Sequence, residues 1–270
     1  MQFKKMNRIT INKGIYILPS ILTSINLSIG FLSIIFSLKG NFTYAAWAII
    51  ICGCMDILDG KLARLTKTTS RFGVEFDSLA DLVSFGIAPA LLMYQMILHA
   101  MDKPGLAIAV LYVLCGALRL ARFNSKTEAD ATLSHFIGLP IPAAAGVLAS
   151  FTLSYGLFVD GGVSTVKTIP ILMERMPFFF KVMPITMLFL SLLMVSNVPY
   201  FAFKKFKADR PKPMRFLIFT VFCIVLIIAF PQNTLFIISI VYLLSGLTGY
   251  IIRYWRLKRA LHSGSRLKNK

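Results

Sequence analysis

Long stretches of this chain carry no charged residue, among them 14–38, 82–101 and 216–252. About 20 apolar residues suffice to cross a bilayer as a helix. Inside hydrocarbon every backbone amide and carbonyl must find its partner within the protein, and a helix meets that demand locally. Similar apolar runs continue from one end of the 270 residues to the other, with no polar block that would make a separate soluble domain. A hydrophobic fraction of 57% against 15% charged residues, with a mean hydropathy of +0.74, excludes an ordinary soluble protein of this length.

The expected fold is an all-α polytopic membrane protein with about eight transmembrane helices. Residues 1–13, with Lys4, Lys5, Arg8 and Lys13, form an interfacial helix or a frayed arm. Spans are expected within 14–38 and over about 42–62, 74–101 and 104–122. A fifth starts near Gly138, where Pro140 and Pro142 suit a helix start because first-turn amides lack intrahelical partners. A sixth covers about 177–198. The run 216–252 is too long for one crossing, and Pro231-Gln-Asn-Thr234 divides it into spans of about 215–230 and 234–254. Residues 125–136 and 159–175 read as loops. The first apolar run is too long for a signal-peptide core, so no cleavable signal is expected.

A formal charge of +18 raises the question of nucleic acid, but its placement answers it. Lys39, Lys103, Lys167, Arg175 and Lys181 fall on one set of loops; all other Lys and Arg lie in 1–15, 61–71, 119–130, 198–215 and 251–270. That alternation is the pattern of membrane loops. It puts both termini on the cytoplasmic side of the cell (inner) membrane, with the tail after Arg253 against anionic lipid headgroups, and nucleic acid is not an expected partner. Cys52, Cys54, Cys115 and Cys223 all sit in apolar runs and read as small buried side chains. His99 and His262 read as exposed loop or tail residues.

Within this apolar chain, residues 56–81 concentrate five of the eleven acidic residues, four of them aspartates. An ionisable group at membrane depth is expensive and marks a functional site. Asp56 and Asp59 are three apart and Asp77 and Asp81 four apart, so each pair shares a helix face. The polar run Lys67 to Arg71 reads as a turn that brings the two helices back to back. Pairing with Lys61, Arg64 and Arg71 would account for one Asp but not for four at this spacing. Four converging carboxylates require cations, and oxygen-only ligands suit Mg²⁺, Mn²⁺ or Ca²⁺.

The stretch reads D-x2-D-G-x2-A-R-x8-G-x3-D-x3-D. It resembles the signature of the CDP-alcohol phosphotransferase family at every fixed position. Phe76 to Pro89, Leu118 to Asn124 and Phe136 to Ala144 look like the phosphatidylserine synthase branch. The resemblance implies a six-helix catalytic core over 1–200, with two added helices and a basic tail over 201–270. It implies a homodimer that joins CDP-diacylglycerol to L-serine among membrane lipids, with two Mg²⁺ or Mn²⁺ ions per site and Ca²⁺ able to substitute. Asp56, Asp59, Asp77 and Asp81 would be metal ligands, and Asp81 the base. Thr23, Asn26, Gly60, Arg64 and Ser70 would bind the CDP-lipid; Ser20 stands where the family usually has Asn. For serine, Arg119 or Arg122 would hold the carboxylate, and Asn124 or a carbonyl near Gly138-Leu-Pro140 the ammonium. Other acceptors in the same family are glycerol 3-phosphate and inositol phosphate, and an archaeal-type lipid donor is a further alternative. A divalent-cation transporter is the competing class; it predicts acids spread across membrane depth rather than gathered at one end.

Overall fold

A computed structural model describes residues 2–66, 71–125, 136–159, 178–196, 198–200, 233–246, 248–249 and 255; side chains are described from Ser20 onward, except at 63–66, 136–137, 155–159, 178–181 and 199–200. The described chain is almost wholly helical. Helix α1 (Gln2–Leu38) is followed by α2 (Phe42–Thr66) and α3 (Arg71–Asp81). A π-helical turn (Leu82–Ile87) joins α3 to α4 (Ala88–Met96), and a 3-10 turn (Leu98–Met101) leads into α5 (Lys103–Asn124). Then come α6 (Ile141–Val159), α7 (Phe178–Val195) and α8 (Asn233–Gly246). Among the described residues, four stretches are long and apolar enough to cross a membrane: Ser20–Leu38, Phe42–Leu62, Arg71–Met96 and Lys103–Asn124. Ile141–Ser154, Val182–Val195 and Asn233–Gly246 are shorter apolar helices. The expected span at 215–230 lies outside the described residues, as do most of the loops at 125–136 and 159–175.

The polytopic helical fold therefore stands, with differences in detail. α1 is continuous from Gln2, so the basic N-terminal segment extends the first span instead of lying apart from it. The third span begins at Arg71 and ends at Met96, short of residue 101. Asp102, at φ 52°, reverses the chain into α5 there.

The π-turn has a sequence cause. Pro89 has no amide to return to the carbonyl of Phe85, four residues before it. The Tyr112 hydroxyl of α5 donates to that carbonyl at 3.3 Å, and the Ala88 amide bonds back five residues to Val83. One wide turn thus absorbs the proline, as π-bulges do.

Membrane helices gain little from hydrophobic transfer against one another, so close packing and interhelical hydrogen bonds hold them. α1 packs chiefly on α2, α5 on α7, and α2 on α6. Ser33 of α1 donates to the Ala45 carbonyl of α2 at 2.9 Å. Ala45, Ala46, Ala88, Ala144 and Ala145 are fully buried at these contacts. Gly30 lets α1 approach the π-turn: a Cβ there would overlap the Ser84 hydroxyl and meet its Cα at 2.9 Å. Gly138, at φ +86°, turns the chain against the end of α7, where a Cβ would sit 2.5 Å from the Met194 carbonyl. The adjoining residues pair Phe136 with Tyr200 and Ile137 with Pro199 in a two-residue antiparallel bridge.

Gly30→Ala should therefore lower the thermal unfolding midpoint in detergent, by an overpacking penalty of about 1–3 kcal/mol. An unchanged midpoint would mean that α1 can retreat from the π-turn.

Candidate active site

The spacing of the four aspartates does what helix geometry requires of it. Asp56 and Asp59 lie on one face of α2, Asp77 and Asp81 on one face of α3, and the two faces converge. One carboxylate oxygen from each of Asp56, Asp59 and Asp77 lies within 4.8 Å of the others. Asp59 is 4% exposed; Asp56 and Asp77 are half-buried. Asp81, one turn farther along α3, is 8% exposed and stands outside this three-residue group. It remains within electrostatic reach of Asp56, Asp77 and Asp59, and of Arg119 on α5.

Charges this close oppose folding. Two carboxylates 4.8 Å apart repel by about 3 kcal/mol at an effective dielectric constant near 20. Moreover, Asp59 Oδ2, Asp77 Oδ1 and Asp81 Oδ1 are buried with no hydrogen-bond partner. Buried polar atoms are normally paired. Unpaired carboxylate oxygens gathered on two facing helices are the donor set of a hard divalent cation. The residues present thus fit the metal expected from the sequence, and Asp56, Asp59 and Asp77 are the ones that can hold it.

A surrounding layer fixes these ligands. The Thr23 side chain and the Gly60 amide both hydrogen-bond to Asp59. Thr23 is buried on α1, one turn before Asn26, which is fully buried. The Asn26 carbonyl accepts from Ser84 Oγ at 3.2 Å and from Cys52 Sγ at 3.4 Å, tying α1 to the π-turn and to α2. Its side-chain amide has neither Oδ1 nor Nδ2 paired. Cys52 and Cys115 are buried as expected, whereas Cys54 is exposed. His99 is exposed, with its ring edge-on to Tyr94 at 5.8 Å.

On the other side stands the end of α5. Arg119 lies 5.9 Å over the Phe123 ring and feels Asp81, Tyr242 of α8 and Asp56. Arg122 donates to the Val195 carbonyl at the end of α7 at 3.3 Å. Asn124 bonds to α3 through Ser78 and Glu75. The Arg64 side chain and Ser70 lie outside the described residues.

Sequence reasoning passed over Glu75, Ser78, Ser84 and Tyr242. Glu75 and Ser78 sit inside the motif at its variable positions, where their proximity to Asp77 was the available signal. Tyr242 lies in a helix that carries no motif.

Residues 16–172 match the model of the CDP-alcohol phosphatidyltransferase family. The chain belongs to that family. It is 35% identical to the CDP-diacylglycerol–serine O-phosphatidyltransferase of Helicobacter pylori strain J99 over 88% of this chain and 92% of that one. A protein of the same name from Methanocaldococcus jannaschii is 31% identical over 85% of this chain and 92% of its own. The archaetidylserine synthase of Methanothermobacter thermautotrophicus is 43% identical over 51% of this chain and 58% of its own. The family is in general dependent on a divalent metal, which agrees with the aspartate group.

Groups that orient a ligand are worth roughly 10–100-fold in metal affinity. Thr23→Val, which removes a hydrogen bond from Asp59, should weaken Mn²⁺ binding by roughly that factor. Electron paramagnetic resonance of free Mn²⁺ against purified protein measures it. An unchanged affinity would detach Thr23 from the cation site.

Proposed function

We propose that the protein transfers the phosphatidyl group of CDP-diacylglycerol to the hydroxyl of L-serine, giving phosphatidylserine and CMP. The observation that carries this is the convergence of Asp56, Asp59 and Asp77, with unpaired buried oxygens beside them, in a chain of this family. The acceptor comes from the relatives. Those matching almost the full length are named serine phosphatidyltransferases, and the Methanothermobacter relative is named archaetidylserine synthase. The headgroup is the common element.

The chemistry is a displacement at phosphorus. The serine hydroxyl oxygen attacks the phosphorus that bears the diacylglycerol. The new O–P bond forms as the bond to the bridging oxygen of the diphosphate breaks, and CMP leaves. Asp56, Asp59 and Asp77 would hold a first Mg²⁺ or Mn²⁺ ion, with Asp81 sharing a second and Ca²⁺ able to substitute, and bound ions would supply charge neutralisation to the diphosphate. Asp81 also receives the hydroxyl proton late in the attack, as a positioned carboxylate can. Its buried, unpaired Oδ1 beside the other three aspartates supports that role.

Thr23, Asn26, Gly60, Arg64 and Ser70 hold the CDP portion. Both amide atoms of Asn26 lack partners in a fully buried position, which suits a polar ligand such as the nucleotide. At Gly60 the missing side chain lets the nucleotide come close. For serine, Arg119 takes the carboxylate, since it stands beside Asp81. Arg122 instead spends a hydrogen bond on the end of α7. Asn124 takes the ammonium, because the alternative carbonyl at Pro140 already accepts from the Ala143 and Ala144 amides. The active site faces the cytoplasm of the inner membrane, where soluble serine arrives, and the lipid enters from the inner leaflet. The core spans 1–200, residues 201–270 add two helices and a basic tail, and the unit is a homodimer.

The test is CMP release in detergent micelles from CDP-diacylglycerol, Mn²⁺ or Mg²⁺ and labelled serine. Release with serine and label in lipid is expected; release with glycerol 3-phosphate alone would overturn the acceptor. Asp81→Asn should lower kcat by roughly 10²–10⁴-fold, the usual worth of a general base. A kcat unchanged by that substitution would remove Asp81 from proton transfer.

A further inference from the structure

Asn124 is the last residue of α5, and α3 decides which way its amide points. Its Nδ2 donates to Ser78 Oγ at 2.9 Å and to Glu75 Oε2 at 3.3 Å. Ser78 Oγ spends its own proton on the Val74 carbonyl at 3.1 Å, so toward Asn124 it can only accept. An ionised Glu75 carboxylate also only accepts. A flipped amide would set its oxygen against two acceptors, so the NH₂ group must face α3. Oδ1 therefore faces away from α3, and it is buried with no partner. Ser78 directly follows Asp77, which places this arrangement beside the aspartate group.

We propose that Glu75, acting with Ser78, is a positioning and specificity residue of the acceptor site: it holds Asn124 with Oδ1 presented to the acceptor's ammonium, and its charge favours an acceptor that carries an ammonium over one that carries only negative charge. The proposal rests on the serine reaction above. An ammonium satisfies Oδ1 and is drawn by the Glu75 carboxylate. A phosphate-bearing alcohol would bring negative charge to that carboxylate and leave Oδ1 without a donor. Discrimination thus comes from a repulsive element as well as an attractive one. Glu75 touches neither the reacting oxygen nor the phosphorus, and acts through Asn124.

The test compares acceptors that differ only in the ammonium. Full-length protein in CDP-diacylglycerol micelles is assayed with L-serine and with 3-hydroxypropanoate, which keeps the hydroxyl and carboxylate. Glu75→Leu should raise the serine KM roughly tenfold, equivalent to about 1.4 kcal/mol. It should reduce the preference for serine over 3-hydroxypropanoate by a similar factor and leave the CDP-diacylglycerol KM in place. Glu75→Gln, nearly isosteric, should shift the preference in the same direction, and Glu75→Asp should recover part of it. Should Glu75→Leu fail to fold, Glu75→Gln gives the same readout. A preference equal to the parent's in these variants overturns the proposal. So does an equal loss with both acceptors or a matching rise in the CDP-diacylglycerol KM, because each marks a merely structural role. Absence of serine turnover in the unsubstituted protein would instead refute the serine reaction itself, and that is read before any variant is made.

Discussion

Mutual repulsion among carboxylates is the constraint from which this structure follows. Asp56, Asp59 and Asp77 are forced within 4.8 Å by two helices, and Asp81 lies buried one turn away. Among the described residues nothing fully relieves that charge, since oxygens of Asp59, Asp77 and Asp81 have no hydrogen-bond partner there. A fold gains no stability from such a cluster. It can persist only where tight packing elsewhere compensates and where a positively charged ligand completes it. The site is therefore held open by the scaffold in a geometry whose negative charge a divalent cation would neutralise, leaving that cation able to bind a diphosphate as well.

That scaffold is concentrated on α1. Thr23 reaches Asp59, the Asn26 carbonyl receives Ser84 and Cys52, Gly30 admits the π-turn, and Ser33 grips α2. Each contact falls one turn or less from the next along a single helix face. The π-turn follows directly after Asp81, so the device that absorbs Pro89 also sets where α3 ends and how its last carboxylate is presented. Tyr112, fully buried, closes the Phe85 carbonyl that the proline leaves open. A polar requirement made by one residue is thus met from a different helix, which locks the rotation of both.

Much of this was legible in the sequence because it rests on local periodicity. Uncharged runs of sufficient length can only be spans, and acids three or four residues apart can only share a face. The convergence of α2 and α3 followed from the polar stretch between them. Less legible were features set by tertiary contact. Pro89 is visible in the sequence, but whether it kinks a helix, ends it or widens one turn depends on Tyr112 and Gly30. The continuity of α1 through its basic start was missed because charge density was taken as a boundary, whereas Lys and Arg are good helix formers. Arg122 and Arg119 looked equivalent in the sequence; the bond of Arg122 to Val195 on α7 and the nearness of Arg119 to Asp81 separate them. Tyr242 belongs to a segment with no recognisable pattern, and its approach to Arg119 is a product of packing alone.

The two halves of the proposed reaction meet on α3, and this has a mechanical consequence. Asp77 points to the cation site, and the next residue, Ser78, accepts the amide of Asn124. Successive helix residues are about 100° apart, so in the proposed reaction one short helix would address the diphosphate with one face and the acceptor with the adjoining one. A rotation of α3 that improved one contact would degrade the other. The Asn124 bond to Ser78 and the packing of Gly30 on Ser84 of the π-turn restrain that rotation from the C-terminal half of α3 and just beyond it. In the proposed reaction that restraint would fix the angle between nucleophile and phosphorus, which in-line displacement requires, through backbone geometry. On the same reading the hydrogen bonds from Asn124 to Ser78 and Glu75, far less conspicuous than four aspartates, would govern which alcohol is accepted.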